Sequence, residues 1–162
     1  MSDQASSSIS MEALVVRPLT VNDAPAWSAL LTAQPPDYMR YFIPFQFDAA
    51  TLTAILSTAH HDLYMGLWWG EVLIGFFMLR GWDQGYAIPA YGVTIDQRFR
   101  NRGLGRLTLE LSRSICKLRG AKRLMLKVHP DNAAAKQLYE SFGFVQTSVD
   151  AKNNNLVYHL DL

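Results

Sequence analysis

Residues 91–106 read YGVTIDQRFRNRGLGR and combine a short apolar strand with a turn that is rich in arginine and glycine. Tyr91, Val93 and Ile95 alternate with smaller or polar residues, which predicts a strand over residues 91–95. The glycines stand at the head of an amphipathic segment, and this order predicts that a helix begins near Leu104. The sequence therefore predicts a strand–turn–helix unit with a positively charged turn.

The turn has the properties of a phosphate-binding site. Glycine has no Cβ, so the backbone there can approach a ligand closely. The N–H groups at a helix start have no intrahelical partner, and the helix dipole favours negative charge at that end. We therefore expect one run of residues to bind a phosphate or a pyrophosphate, namely Arg100, Asn101, Arg102, Gly103, Leu104, Gly105 and Arg106.

Two common phosphate motifs are excluded. A dinucleotide-binding fingerprint needs a third glycine at position 108, where Thr108 stands. A Walker loop needs Gly-Lys-Ser or Gly-Lys-Thr after a four-residue gap, and the sequence has no such run. The remaining alternative to a ligand site is that the glycines only form a tight turn.

A second motif follows at residues 132–144, which read NAAAKQLYESFGF. The first motif has the form Arg-x-x-Gly-x-Gly and the second the form Asn-x-x-Ala-x-x-Leu-Tyr-x-x-x-Gly-Phe. In this order, joined by a helix and a strand, the two motifs resemble the coenzyme A loop and the later motif of the GNAT acyltransferase superfamily. The resemblance covers roughly the last third of the chain, from Tyr91 to Phe144.

The resemblance implies how the chain binds acetyl-CoA as a cosubstrate. In the GNAT fold two parallel strands splay apart, and the pantetheine arm enters between them. Its amides are expected to pair with backbone along Val93, Thr94 and Ile95. Asn132 resembles the family's side-chain contact to the arm, and a plain N-cap role is compatible with that contact. No metal is implied.

Tyr139 matches the family's proton donor by position. A phenol within hydrogen-bond reach of the sulfur is suited to stabilising the leaving thiolate. The alternative is that Tyr139 is a core aromatic residue of its helix. The reaction is expected to be a direct attack by the amine in a ternary complex, because no Cys or Ser has a recognisable activating partner.

The sequence identifies no general base. Relatives that acetylate protein N-termini often carry a glutamate five residues before the motif asparagine, where this chain has Lys127. A lysine cannot replace that glutamate unless its pKa is strongly depressed. The remaining candidates are each more typical of structural roles; they are His129, His60, His61, Asp83 and Tyr91.

The order of elements is β-α-α-β-β-β-α-β-α-β-β, which predicts an α/β (α+β) fold with helices on both faces of a mixed sheet. The GNAT resemblance implies six to seven mostly antiparallel strands, about four helices and a splayed, parallel central pair. The connection between that pair should be a right-handed crossover. Residues 1–12 are predicted to be a flexible segment and residues 13–162 a single GNAT domain.

Two segments carry more specific expectations. The helix from Leu104 to about Arg119 is predicted to bury a stripe formed by Leu104, Leu107, Leu111, Ile115 and Leu118. Residues 34–46 contain three prolines and four aromatic residues, which suit neither a regular helix nor a strand. This segment is interpreted either as a loop that packs over the sheet edge or as a wall of the acceptor pocket.

Composition limits the partners and the location. The formal net charge is +1, so the total charge does not predict nucleic-acid binding. The apolar run at residues 65–79 is broken by Gly70 and is too short for a membrane span, so we interpret it as a buried hairpin. No secretory signal is evident, and the lone Cys116, interpreted as structural, fits a reducing cytoplasm.

The leading hypothesis is an acetyl-CoA-dependent N-acetyltransferase that acts on a primary amine of a small molecule or a peptide. The alternative is a non-catalytic coenzyme A-binding module that senses acyl-CoA or serves as a partner subunit. A third hypothesis, a basic-turn protein that binds nucleic acid, predicts strong salt dependence and no coenzyme binding. A homodimer is left open.

Overall fold

The computed structural model describes residues 12–162, and within that range it contains seven strands and five α-helices. The strands are β1 (Leu14–Pro18), β2 (Leu63–Trp69), β3 (Val72–Arg80), β4 (Ala90–Ile95), β5 (Arg123–Val128), β6 (Val145–Val149) and β7 (Leu156–Asp161). The helices are α1 (Ala24–Thr32), α2 (Pro36–Met39), α3 (Ala49–Thr58), α4 (Leu104–Leu118) and α5 (Ala133–Phe142). The predicted flexible segment lies, apart from Glu12, outside the described residues, and the assignment of residues 13–162 to one domain stays a prediction.

All seven strands form one sheet in the order β1-β2-β3-β4-β5-β7-β6. Every neighbouring pair is antiparallel except β4 and β5, which are parallel. The predicted fold class, a mixed and mostly antiparallel sheet with one parallel central pair, is therefore confirmed.

The core lies on both faces of the sheet. In β3, seven of nine residues are buried, which is the pattern of a strand covered on both sides. One cluster packs α1 and α3 against one face, and a second packs α4 and α5 against the other. The apolar run at residues 65–79 forms the β2–β3 hairpin, as predicted. No helix between residues 12 and 162 is long and apolar enough to cross a membrane.

The stripe predicted for α4 is partly confirmed, because Leu104, Leu111 and Ile115 pack against the core while only partly buried. The buried residues are Thr108, Leu109, Ser112 and Cys116, whereas Leu118 is 88% exposed. The Thr108 hydroxyl donates to the Gly105 carbonyl at 2.8 Å, and the Ser112 hydroxyl donates to the Thr108 carbonyl at 2.7 Å. Because these small polar side chains bond to their own helix, they can be buried against the sheet at little cost.

Residues 34–46 include a short helix that the sequence did not predict. The backbone N–H groups of Tyr38 and Met39 both donate to the Pro35 carbonyl, at 3.0 and 3.1 Å. A proline at the first position of a helix is tolerated because that N–H has no intrahelical partner in any residue. The prolines therefore start α2 rather than prevent it, and this accounts for a fifth helix where about four were expected.

An ion pair at the start of α1 leads to a prediction about acid stability. Arg17 donates to both oxygens of Asp23, at 2.8 and 3.1 Å, and this pairing is the main reason that the pKa of Asp23 is lowered to about 2. A folded-state pKa below the unfolded value stabilises the fold above pH ~4, and this contribution is lost as the pH falls towards 2.

Asp23→Asn is therefore expected to destabilise the protein by about 1 kcal/mol at pH 7, after allowance for solvent screening at the partly exposed Arg17. Urea unfolding at neutral pH and near pH 2 measures the effect, which should be much smaller at the lower pH, where about half of the folded protein has Asp23 protonated. Asp37→Asn, a change at an exposed residue of α2, is the control. An Asp23→Asn deficit of the same size at both pH values would contradict the ion-pair assignment.

Candidate active site

The parallel strands β4 and β5 separate along most of their length. Their ladder has a single residue pair, Ala90 with Met125, whereas β4 pairs with β3 at six positions. The Met125 N–H donates to the Pro89 carbonyl at 3.0 Å, which fixes this contact at the start of β4. A gap therefore opens between the two strands towards their carboxyl ends, as the predicted splayed pair requires.

Unpaired backbone groups line both sides of this gap. The Asp96 N–H donates to Ile74 on β3, so the backbone groups of Thr94, two residues earlier, also point towards β3. The backbone N–H and carbonyl groups of the alternate residues, Val93 and Ile95, therefore point into the gap. The N–H of Met125 points towards β4. By the same alternation, the backbone N–H and carbonyl of Lys127, two residues later on β5, point into the gap. These groups form an edge to which an extended amide chain can add.

Two of the predicted arm contacts are restricted by this arrangement. Thr94 directs its backbone towards β3, and its buried hydroxyl makes no hydrogen bond to the described residues. The Ile95 carbonyl accepts a hydrogen bond of 2.6 Å from the Tyr38 hydroxyl. On β4 beyond Tyr91, where the strands have separated, the groups left for a ligand are the N–H and carbonyl of Val93 and the N–H of Ile95.

The start of α4 is open to solvent. Gly103 precedes the helix with a φ of 80°, and Asn101 has a φ of 60°, a region that Asn tolerates better than most residues. The first intrahelical bond runs from the Leu107 N–H to the Gly103 carbonyl at 3.0 Å. The N–H groups of Leu104, Gly105 and Arg106 therefore have no intrahelical acceptor.

The arginines around this helix start differ in their partners. Arg98 forms a bidentate pair with Asp96, at 3.1 and 2.9 Å, and this pair lowers the pKa of Asp96. By contrast, Arg100, Arg102 and Arg106 are exposed and have no carboxylate within salt-bridge distance among residues 12–162. These three charges are therefore not neutralised by an ion pair within that range, and their binding of an anion stays a prediction.

Tyr139 lies on α5 beside the closed end of the gap. Its ring contacts Tyr91 on β4 edge to face at a centroid distance of 6.2 Å, and it is 9% exposed. Its hydroxyl makes no hydrogen bond to any described residue. The hydroxyl oxygen is not fully enclosed, so it keeps some contact with solvent. Burial raises the pKa of this phenol to about 12, so it is protonated at neutral pH.

Asn132 lies at the start of α5 near the end of β5. Its side-chain oxygen accepts the Ala135 N–H at 3.3 Å, which is an N-cap contact. Its side-chain NH₂ makes no hydrogen bond to the described residues and can donate to a ligand. The structure is thus compatible with both of the roles considered for Asn132.

Two groups of base candidates have structural partners. The Asp83 carboxylate accepts the backbone N–H groups of His60, His61 and Asp62, at 3.0, 2.7 and 3.2 Å, and so ties two turns together. The buried hydroxyl of Tyr91 lies 2.7 Å from the Thr108 hydroxyl. Because the Thr108 proton is directed at Gly105, Tyr91 is the donor in this contact.

The candidates at the end of β5 are also engaged. His129 stacks on Tyr41 at 4.4 Å, and its Nδ1 accepts the Asp131 N–H at 3.1 Å. A neutral His129 in this arrangement carries its proton on Nε2, which is then a donor and not a base. Lys127 donates to the Asp150 carboxylate at 2.8 Å, and this bond lowers the pKa of Asp150.

The aromatic segment at residues 34–46 packs over the sheet, as one of its two interpretations predicted, and its role as a wall of the acceptor pocket stays a prediction. Phe42 packs edge to face on the buried Phe76 at 5.8 Å and lies over Gly92 of β4. Tyr41 reaches the end of β5, and Ile43 is 80% exposed. The segment therefore covers the sheet and also borders the gap on the face opposite α4 and α5.

Sequence reasoning missed three residues at this site. They are Gln34 and Tyr38, which bond to the chain around the end of β4, and Asp150, which pairs with Lys127. Their partners are 63, 57 and 23 residues away in the chain, so spacing gave no signal. The four aromatic residues within residues 34–46 were the one available indication.

The sequence of the chain matches one protein family. The model of the Acetyltransferase (GNAT) family matches residues 25–144. The chain is similar to the ribosomal protein bS18-alanine N-acetyltransferase of Salmonella typhimurium, with 41% identity over 59 residues, and to the mycothiol acetyltransferase of Beutenbergia cavernae, with 36% over 62. These stretches cover 36% and 38% of this chain and only 40% and 21% of the relatives, respectively.

Solved structures share the fold over nearly the whole chain. The PaiA N-acetyltransferase from Thermoplasma acidophilum, in complex with coenzyme A, has a TM-score of 0.76 at 16% identity and covers 93% of this chain and 99% of that one. The ribosomal-protein-S18-alanine N-acetyltransferase from Escherichia coli has a TM-score of 0.70 at 21% identity, covering 92% and 94%. At these identities the likeness is one of fold.

Proposed function

The chain belongs to the GNAT acetyltransferase family, and from that premise we propose that it is an acetyl-CoA-dependent N-acetyltransferase that acts on a primary amine. The main support is that three features meet around β4. They are the unpaired strand edge, the open start of α4 with its arginines, and the unpaired phenol of Tyr139. They fit, in turn, the amide arm, the pyrophosphate and the thioester of acetyl-CoA.

Most of the proposed contacts to acetyl-CoA are made by backbone groups, and side chains support them. The N–H groups of residues 101–106 would bind the pyrophosphate, with Arg100, Arg102 and Arg106 as supporting charges. The backbone of Val93 and the N–H of Ile95 would pair with the arm, and the Asn132 NH₂ would donate to it. Thr94 contributes by keeping β4 attached to β3 rather than by a backbone contact.

Bound acetyl-CoA supplies an acetyl group on a thioester, with a thiolate as the leaving group. Tyr139 would donate a hydrogen bond to that sulfur as the bond to the acetyl group breaks. Its pKa of about 12 lies above the reference value of about 8.5 for a thiol, so complete proton transfer requires the phenol pKa to fall in the bound state.

A direct attack by the amine in a ternary complex is preferred over a covalent enzyme intermediate. Cys116, the lone cysteine, is fully buried in the core, and burial raises the pKa of its thiol to about 11. At neutral pH this thiol is protonated and cannot reach a substrate, so it is not a nucleophile.

The acceptor is proposed only as a class. The rim of the gap is lined by Tyr41, Phe42 and Lys127, which favours an uncharged or anionic body next to the amine over a polycation. A peptide amine is one candidate, since relatives are named for acetylating a ribosomal-protein alanine. We assign no residue as the general base that takes the amine proton.

Thiol release from acetyl-CoA with a panel of peptide and small-molecule amines tests the proposal, together with calorimetric titration of acetyl-CoA. Binding with amine-dependent thiol release is the expected result. Binding with no release by any amine would favour the alternative, an acyl-CoA sensor or partner subunit, which the lysine at position 127 keeps open. Absence of binding would overturn both readings.

Two further parts of the proposal concern location and assembly. The lone cysteine lies buried and unpaired, which fits a reducing, cytoplasmic environment. A homodimer is retained as a hypothesis, and light scattering of the purified protein tests it.

A further inference from the structure

Tyr38 joins the aromatic segment to the end of the strand that would hold the acetyl donor. Its hydroxyl donates to the Ile95 carbonyl at 2.6 Å, across 57 residues of chain. A second link lies beside it, because the Gln34 side-chain oxygen accepts the Gln97 N–H at 2.9 Å and its NH₂ donates to the Leu30 carbonyl at 3.1 Å. Gln34 is buried, so the position of the segment is fixed at two points.

The Tyr38 hydroxyl also lies at the end of β4 that leads to the phosphate site, because its partner Ile95 is the last residue of that strand. The turn that carries Arg100 to the start of α4 follows directly after Ile95. Tyr38 is only half-buried. A ligand that extends from the start of α4 into the gap would therefore pass this side chain.

Occupation of the Ile95 carbonyl limits how a ligand can pair with β4. Beyond Tyr91, which adjoins the closed end of the gap, Val93 and Ile95 both direct their backbone groups into it, so an unmodified edge would present two carbonyls there, two residues apart. Because Tyr38 uses one of them, an arm amide in this open part of the gap finds one acceptor on β4, the Val93 carbonyl. Two residues of strand correspond to about 6.6 Å, which is the distance between the alternative registers.

We propose that Tyr38 is a positioning residue that sets the register of the acetyl donor's arm along β4 by keeping the Ile95 carbonyl occupied. The inference rests on the proposed function. A slip of one register would preserve the number of amide contacts but carry the thioester beyond hydrogen-bond reach of Tyr139. The loss would thus fall on the chemical step and not on affinity.

Tyr38→Phe tests this assignment. We expect the Kd for coenzyme A, measured by calorimetry, to stay within about threefold of the wild-type value, because one register is replaced by two. In ¹³C NMR of bound acetyl-CoA labelled at the thioester carbonyl, wild type should give one bound resonance, and the variant should give a second or displaced one. Turnover with the best amine of the panel should fall about tenfold or more.

Two further variants make the result specific. Tyr86→Phe removes a phenol that is 62% exposed, in the loop before β4, and should behave as wild type. Replacement of Tyr38 by p-aminophenylalanine keeps an N–H donor for the Ile95 carbonyl and should restore the single carbonyl resonance. It thereby distinguishes loss of this hydrogen bond from a general destabilisation caused by substitution at position 38.

Outcomes separate this inference from the proposed function. If wild type binds coenzyme A and Tyr38→Phe shows the same single resonance and the same turnover, the register assignment is overturned while the proposed function stands. If p-aminophenylalanine fails to restore the resonance, the hydroxyl acts otherwise than as a donor to Ile95, and the inference is equally overturned. If wild type does not bind coenzyme A, the proposed function fails first.

Discussion

Tyr139→Phe is expected to lower turnover by about 10²- to 10³-fold, while the Kd for acetyl-CoA stays within about twofold of the wild-type value. The phenol is the one polar group of that side chain, and it makes no hydrogen bond to the described residues. Its removal therefore costs the folded protein little, so a loss of rate reports on the reaction. Stopped-flow thiol release and calorimetry measure the two quantities separately.

Tyr158→Phe is the matched control for this change. Tyr158 is also a buried tyrosine whose pKa is raised to about 12, but it lies on β7, which β5 separates from β4, and its hydroxyl donates to Glu140 of α5 at 2.7 Å. We expect this control to lose some stability and to keep its turnover. Wild-type turnover in Tyr139→Phe, or an equal loss in both variants, would remove the acid assignment.

Gly103→Val is expected to weaken coenzyme A binding by about tenfold or more, because a branched side chain would stand where the backbone must approach the pyrophosphate. Gly103 has a φ of 80°, and no protein atom lies within 4 Å of the position that a Cβ would take there. A loss of affinity would therefore reflect exclusion of the ligand or backbone strain, and these two causes need a control.

Gly120→Val supplies that control at the other end of the same helix. Gly120 has a φ of 77°, and its Cβ would likewise meet nothing within 4 Å. Both valines impose a similar backbone strain of roughly 1–2 kcal/mol, which thermal unfolding measures. Affinity should fall only in Gly103→Val. Equal affinities in the two variants would place the phosphates elsewhere on the molecule.

The sequence predicted the parts of the site that are local in the chain. The strand over residues 91–95, the glycine turn and the helix start near Leu104 lie where the spacing indicated, because each depends on neighbours within a few residues. The arginines at positions 100, 102 and 106 also lie at this turn as the sequence indicated, whereas the pairing of Arg98 with Asp96 could not be read from it.

What the sequence could not predict depends on contacts between distant segments. The face of α4 that turns to the sheet is fixed by how closely β4 and β5 approach it, and Thr108 and Ser112 suit that approach better than leucines do. The bond from Tyr38 to Ile95 and the pairing of Lys127 with Asp150 each require the folded sheet. No local period or propensity encodes them.

The structure of the protein in complex with acetyl-CoA or coenzyme A tests the central claim most directly. We predict the pyrophosphate on the N–H groups of residues 101–106, the arm paired with Val93 in the gap, and the sulfur within hydrogen-bond reach of the Tyr139 hydroxyl. A ligand bound on another face of the sheet, or a gap between β4 and β5 that closes on protein side chains in the complex, would contradict it.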